Sequence, residues 1–163
     1  MAQETKRVPA FLSGPTTATA VLLPMRLYVG YWWLQLGLAK LAEGWLSRDQ
    51  EHLPDVIATL HPPGWFEVTL IEAANENVYL FQWLIVLFEL LFGAMMLAGA
   101  ATRAAGIALA LMALTGFVAA GYQFASWEVP MALISVTLAV AAAGRYLGLD
   151  AILRARMVKV PLF

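Results

Sequence analysis

The chain has 163 residues, of which 61% are hydrophobic and only 13% are charged, and its mean hydropathy is +0.73. A soluble domain is nearer half apolar and about one quarter charged. The composition therefore excludes a disordered chain, a nucleic-acid-binding tail and an ordinary cytosolic enzyme. The absence of cysteine excludes disulfides, thiolate metal sites and iron–sulfur ligation by this chain.

Four apolar stretches are each long enough, at about 20 residues, to cross a bilayer as a helix. In chain order they cover about 20–41, 79–100, 104–122 and 129–147. The sequence thus predicts an all-α polytopic membrane protein, with a single four-transmembrane-helix bundle over 20–153. Residues 1–19 are predicted to be a cytoplasmic N-terminal tail, and residues 154–163 a basic cytoplasmic C-terminal tail.

The basic residues predict the orientation, because cytoplasmic loops of membrane proteins carry an excess of lysine and arginine. With the N-terminus inside, Arg48 alone falls on the outer side. Seven of the ten basic residues fall on the cytoplasmic side: Lys6, Arg7, Arg103, Arg145, Arg154, Arg156 and Lys159. We therefore expect the chain to lie in the cytoplasmic (inner) membrane of a prokaryote, with both termini in the cytoplasm.

The predicted outer loop between the first two spans, at about 42–78, is extended and acidic. It carries seven carboxylates against one arginine, a net charge of −6. The helix-breaking sequence His-Pro-Pro-Gly at 61–64 comes directly before Trp65. Together with the apolar residues that follow, it predicts a short helix on the membrane surface, with Trp65, Phe66 and Leu70 facing lipid. A solvated acidic loop is the simpler interpretation. The two histidines of the loop lack the spacing of helical metal ligands, so no metal site is expected.

Three ionisable residues fall inside the predicted spans, namely Arg26, Lys40 and Glu89. A charge at the bilayer centre costs about 2.5–3.5 kcal/mol on insertion scales, so such residues usually face the bundle interior and have a partner. One face of the first span combines Arg26, Gly30, Trp33, Gly37 and Lys40. This pattern predicts an Arg26–Glu89 contact, made directly or through water or a ligand. The alternatives are an ion pair that only fixes helix register and, for Lys40, snorkelling to the outer interface.

Three groups of residues follow one another between positions 22 and 153: Arg26–Gly30 with Gly37–Leu41, then Glu89 with Gly93, Gly99 and Arg103, then Ala143–Asp150. In this order they resemble the first helix, the second helix with its inner turn, and the C-terminal end of the DoxX family. That family includes DoxD, the membrane subunit of thiosulfate:quinone oxidoreductase. The resemblance implies a four-helix membrane domain associated with quinone-linked redox chemistry.

The leading hypothesis is an integral membrane subunit of quinone-linked respiratory redox chemistry, with a polar intramembrane site between the first two spans. The candidate catalytic residues are Glu89 and Arg26. The candidate quinone-binding residues are Arg26, Tyr28, Tyr31, Trp33, Lys40 and Glu89. A quinone is the expected ligand, and no covalently bound cofactor is expected. Electrons would come from a partner or pass directly from the substrate, since the chain shows no haem or flavin motif.

Two alternatives stay open, and with them the question of whether the chain is an enzyme. It could be a non-catalytic accessory subunit of a larger respiratory or photosynthetic membrane complex. It could also be a self-contained thiosulfate:quinone oxidoreductase membrane subunit, although the acidic outer loop would repel an anionic substrate. The expected partners are the lipid bilayer and either other membrane subunits or further copies of the chain. No nucleic-acid partner is expected.

Overall fold

A computed structural model describes residues 21–123, 127–145 and 148–150, and this part of the chain is helical and contains no strand. The helices are α1 (Leu23–Ala42), α2 (Leu53–Ala58), α3 (Gly64–Phe66), α4 (Glu72–Glu76), α5 (Val78–Ala98), α6 (Thr102–Ala119) and α7 (Glu128–Val140). A π-helical turn, Glu67–Ile71, joins α3 to α4, and a 3-10 turn, Ala143–Arg145, follows α7. The predicted tails at 1–19 and 154–163 lie outside the described residues. The predicted all-helical class is confirmed.

Two helices of the described part, α5 and α6, are long and apolar enough to cross a membrane. Helix α1 has a similar length but carries Arg26 and Lys40. Helix α7, with 13 residues, is about 20 Å long, which is less than the roughly 30 Å of a hydrocarbon core. The count of four spans and the outer position of the acidic loop therefore stay predictions.

The fourth predicted span is wrong at its C-terminal end, because α7 ends at Val140 rather than near Leu147. The chain leaves the helix through Ala142, which has a positive φ of 48°. Beyond it, the Ala143 carbonyl accepts a hydrogen bond from the Arg26 side chain. The Gly144 N–H likewise donates to the Thr102 hydroxyl. These polar contacts hold the turn, and an apolar run of alanines gives no sign of it.

The long helices form a bundle in which α1 packs on α5 and α6 packs on α7, with α5–α6 and α1–α7 contacts joining the two pairs. Polar side chains are buried inside: Arg26, Gln82, Glu89, Thr102, Ser135 and Asp150. The exposed surface instead carries large apolar side chains, among them Leu84, Leu91, Leu111 and Leu133. Water would favour the opposite arrangement, so this distribution fits helices surrounded by lipid.

Close backbone contact between α1 and α5 depends on two glycines. A Cβ atom added at Gly30 would lie 2.6 Å from the Leu97 backbone nitrogen, and one added at Gly93 would lie 2.6 Å from the Leu34 backbone nitrogen. Neither backbone can give way without moving its helix. The glycines on these faces therefore let the two backbones approach closely.

Replacing Gly93 by alanine should therefore lower the free energy of unfolding by about 1–3 kcal/mol, the cost of overpacking a tight contact. The measurement is reversible unfolding of the full chain in mixed micelles of a mild detergent and SDS. Gly64→Ala is the matched control, because a Cβ atom there meets nothing within 4 Å. Equal losses for the two variants would contradict the close contact.

The segment 43–77 between α1 and α5 contains the predicted short helix, and its position on a membrane surface stays a prediction. Residues 64–76 are helical throughout, and Trp65 projects outward with 60% of its surface exposed. The predicted outward orientation of Phe66 is wrong: this ring is 6% exposed, and it lies with Leu70 in a cluster that includes Ala119 of α6. Trp65 and Phe66 are adjacent and project about 100° apart on a helix, so they do not share a face. The π-helical turn at Glu67–Ile71 changes the angular spacing of the side chains that follow.

Candidate functional site

Lys40 and Glu89 form an ion pair between α1 and α5. The Lys40 ammonium donates to both carboxylate oxygens of Glu89, at 2.6 and 2.8 Å, and the side chains are 20% and 5% exposed. The buried ring of Trp45 lies beside the ammonium, with its centroid 5.5 Å from Lys40 Nζ. We call these three residues the ion-pair site. The predicted snorkelling of Lys40 is wrong, because its charge is directed to Glu89.

The ion pair forms because α1 and α5 are shifted relative to each other along their axes. Gly37 of α1 faces Glu89 and Leu90 of the antiparallel helix α5. At 1.5 Å per residue, the C-terminus of α1 therefore lies about 10 Å below the level of the N-terminus of α5. Residues 43–53 fill this offset by packing along the first turns of α5. Lys40 therefore lies beside the middle of α5 although it is close to the end of its own helix.

Gln82 of α5 holds the 43–53 segment in place. Its side chain is completely buried, and both the oxygen and the nitrogen of its amide form hydrogen bonds. The carbonyl oxygen accepts hydrogen bonds from the backbone N–H groups of His52 (2.8 Å) and Leu53 (3.0 Å). The amide nitrogen donates to the carbonyls of Trp45 (2.7 Å) and Gln50 (3.3 Å). Sequence reasoning missed Gln82, although a polar residue inside an apolar span is itself a signal.

The predicted direct contact between Arg26 and Glu89 is wrong. The Arg26 guanidinium lies beside Gly99, at the opposite end of α5 from the ion-pair site. Ten residues separate Gly99 from Glu89, which corresponds to about 15 Å along the helix. Arg26 is nevertheless 2% exposed, as expected for a charge that faces the bundle interior.

Arg26 belongs to a second polar group, which we call the Asp150 cluster and which comprises Arg26, Thr102, Ala143 and Asp150. The Arg26 Nη1 atom donates to the Ala143 carbonyl at 3.0 Å, and Asp150 lies close enough to attract the guanidinium electrostatically. The Asp150 carboxylate accepts hydrogen bonds from the Ala101 N–H, from the Thr102 N–H at 3.0 Å and from the Thr102 hydroxyl at 2.7 Å. It thereby caps the N-terminus of α6 and closes one end of the bundle.

The other candidate residues do not join either group. Trp33 is buried, and its ring packs on that of Trp127 at 5.6 Å. It shares a face with Lys40 but lies about 10 Å from it along α1. Tyr28 and Tyr31 are 50% and 58% exposed on the outer surface of the bundle. Within the described ranges, no group of three or more His, Asp or Glu side chains could hold a metal ion.

In the described part of the chain, a helical bundle with charges inside, leucines outside and two helices able to cross a bilayer is typical of an integral membrane protein. The family model described as "TQO small subunit DoxD" matches residues 21–162, so the chain belongs to the DoxD family, a family of membrane subunits associated with a quinone oxidoreductase. The predicted DoxX/DoxD-like membership is confirmed. No match was found among curated proteins or among solved structures.

Proposed function

We propose that the chain is a membrane subunit of a quinone-linked redox complex, and that the ion-pair site forms the polar part of its quinone site. The observation that carries the proposal is the Lys40–Glu89 pair, two charges held inside an otherwise apolar helix interface. Such charges are costly in a membrane and are typical of functional sites. The family description independently supports the association with quinone chemistry.

The residues of the ion-pair site suit a quinone carbonyl. An ammonium group has three N–H donors, and Glu89 accepts two hydrogen bonds from Lys40. The third donor has no hydrogen-bond partner among the described residues and is available to a carbonyl oxygen. Apolar side chains, including Val86 and Leu90, provide surroundings of the kind that a quinone ring requires.

A bound quinone would supply an acceptor for two electrons and two protons. The role of this chain would be to orient the carbonyl and to bind and transfer protons. Lys40 would donate a hydrogen bond to the carbonyl oxygen. Glu89 would keep the ammonium in place as a carboxylate, and it would hold a proton only after the ammonium has given one up. The electrons would come from another subunit or directly from the reduced substrate, as the sequence predicts.

The test is quinone binding by the purified full chain in lipid nanodiscs, measured with decylubiquinone and, in a second arm, with a naphthoquinone. Glu89→Gln should weaken binding at least tenfold, since hydrogen bonds to charged groups are worth about 1.5–3 kcal/mol. Lys40→Gln should do the same, and Lys40→Arg should retain part of the affinity. Glu72→Gln is the matched control, because Glu72 is an exposed carboxylate of the 43–77 segment.

Full quinone affinity in a correctly folded Glu89→Gln variant would argue against this site. The non-catalytic accessory role would then be favoured if the native chain also migrated only within a larger complex on blue-native electrophoresis. Thiosulfate-dependent quinone reduction by the purified single chain would instead favour the self-contained oxidoreductase. Tyr28, Tyr31, Trp33 and Arg26 stay in the proposal as candidates, but the contacts that support it are those of Lys40 and Glu89.

A further inference from the structure

A pocket of about 220 Å³ opens at the start of α5, on the side covered by the 43–53 segment. It is lined by Ser47, Arg48, Gln50, Glu51, Tyr79 and Gln82. Gln82 fixes its floor, because both ends of this buried amide are hydrogen-bonded to the segment.

The pocket has one positive and one negative side chain in its wall. The Arg48 guanidinium lies over the Tyr79 ring, 5.4 Å from its centroid, which orients it by a cation–π contact. Glu51 lies in the same wall. In the part of the chain that the structure describes, neither residue forms an ion pair, with the other or with a third group. Two opposite charges that share a pocket without pairing suit a ligand that itself carries both charges.

We propose that this pocket binds the headgroup of a zwitterionic phospholipid, with the phosphate toward Arg48 and a primary amine toward Glu51. Phosphatidylethanolamine has this chemistry. The 43–77 segment has a net charge of −6, which disfavours a purely anionic headgroup and favours one with an amine. The proposal requires only that the chain lies in a membrane, and it is independent of the quinone site.

The surface next to the pocket favours a lipid over a soluble zwitterion. Tyr79, Trp83 and Leu87 follow one another at intervals of four residues, so they form one stripe along α5. The Tyr79 and Trp83 rings pack edge to face at 6.2 Å, and Leu87 is 45% exposed. The stripe leads from the pocket along the apolar surface of the helix, where acyl chains would lie.

The test uses the full chain in nanodiscs that contain equal amounts of phosphatidylethanolamine and phosphatidylglycerol, followed by native mass spectrometry of the lipids retained. The wild-type chain should retain phosphatidylethanolamine over phosphatidylglycerol by about threefold, the factor expected from a partly exposed ion pair. Glu51→Gln should bring the ratio close to one, because this carboxylate faces the amine that only phosphatidylethanolamine carries. Arg48→Gln should lower the retention of both lipids, because both carry the phosphate. Arg48→Lys should keep a preference, and Glu72→Gln should behave as the wild type.

Both altered side chains are exposed, so the variants should fold, and their size-exclusion profiles check this. A wild-type ratio of one would overturn the proposal, as would a preference that survives in Glu51→Gln or an Arg48→Gln variant that retains both lipids as well as the wild type does. A competition experiment distinguishes a lipid headgroup from a soluble molecule that carries the same two charges. Loss of the lipid preference on addition of millimolar soluble phosphoethanolamine, with that compound retained in its place, would overturn the assignment to a lipid. An unchanged preference would support it.

Discussion

Replacing Lys40 by methionine is expected to lower the free energy of unfolding by about 3 kcal/mol, because the substitution leaves the Glu89 carboxylate buried without its partner. Methionine fills a similar volume, so little of this loss should come from packing. The measurement is reversible unfolding of the full chain in mixed micelles of a mild detergent and SDS. Arg48→Met is the control: this arginine is exposed, and its cation–π contact is worth less than about 1 kcal/mol.

The double variant Lys40→Met/Glu89→Leu separates charge from packing. Replacing a buried ion pair by apolar residues is often neutral or stabilising, so the double variant should recover most of the stability lost in the single variant. A double variant as unstable as Lys40→Met alone would show that the loss comes from packing. If the stability is recovered, this variant also provides a folded chain without the charges of the ion-pair site, in which quinone binding can be measured.

The sequence identifies Lys40 and Glu89 as candidate functional residues, but it does not predict that they form an ion pair. Both stand out as charges in apolar stretches, and helical spacing correctly places Lys40 on a face with Gly37. The pairing itself depends on the offset between α1 and α5. This offset arises from the close approach at Gly30 and Gly93 and from the hydrogen bonds that Gln82 makes to the 43–53 segment. Hydropathy gives the length of each span but contains no information on such an offset.

Arg26 shows a second limit of sequence reasoning. Its burial follows from the cost of a charge in a membrane, and the structure agrees with that expectation. The carboxylate near it is Asp150, which lies 124 residues further along the chain and outside every predicted span. The chain reaches this position only because α7 ends early and turns at Ala142. A search for the partner of Arg26 within the apolar stretches therefore leads to Glu89, the wrong carboxylate.

Replacing Asp150 by alanine is expected to lower the free energy of unfolding by about 3–5 kcal/mol. The substitution removes the acceptor of three hydrogen bonds at the start of α6, which leaves the Ala101 and Thr102 donors unsatisfied. It also removes the negative charge near the buried Arg26 guanidinium. Asp150→Asn keeps one acceptor oxygen and should lose less. The exposed carboxylate of Asp55 provides the control, since Asp55→Ala should change the stability by less than about 1 kcal/mol.

A double-mutant cycle with Thr102→Val tests whether the cap itself accounts for the loss at Asp150. The Thr102 hydroxyl donates to Asp150 and accepts from the Gly144 N–H, so it connects the start of α6 to the turn after α7. The two substitutions share one hydrogen bond, and the double variant should therefore lose less stability than the two single variants added together. Strict additivity would mean that the two residues act independently. The C-terminal segment would then not stabilise the bundle through this contact.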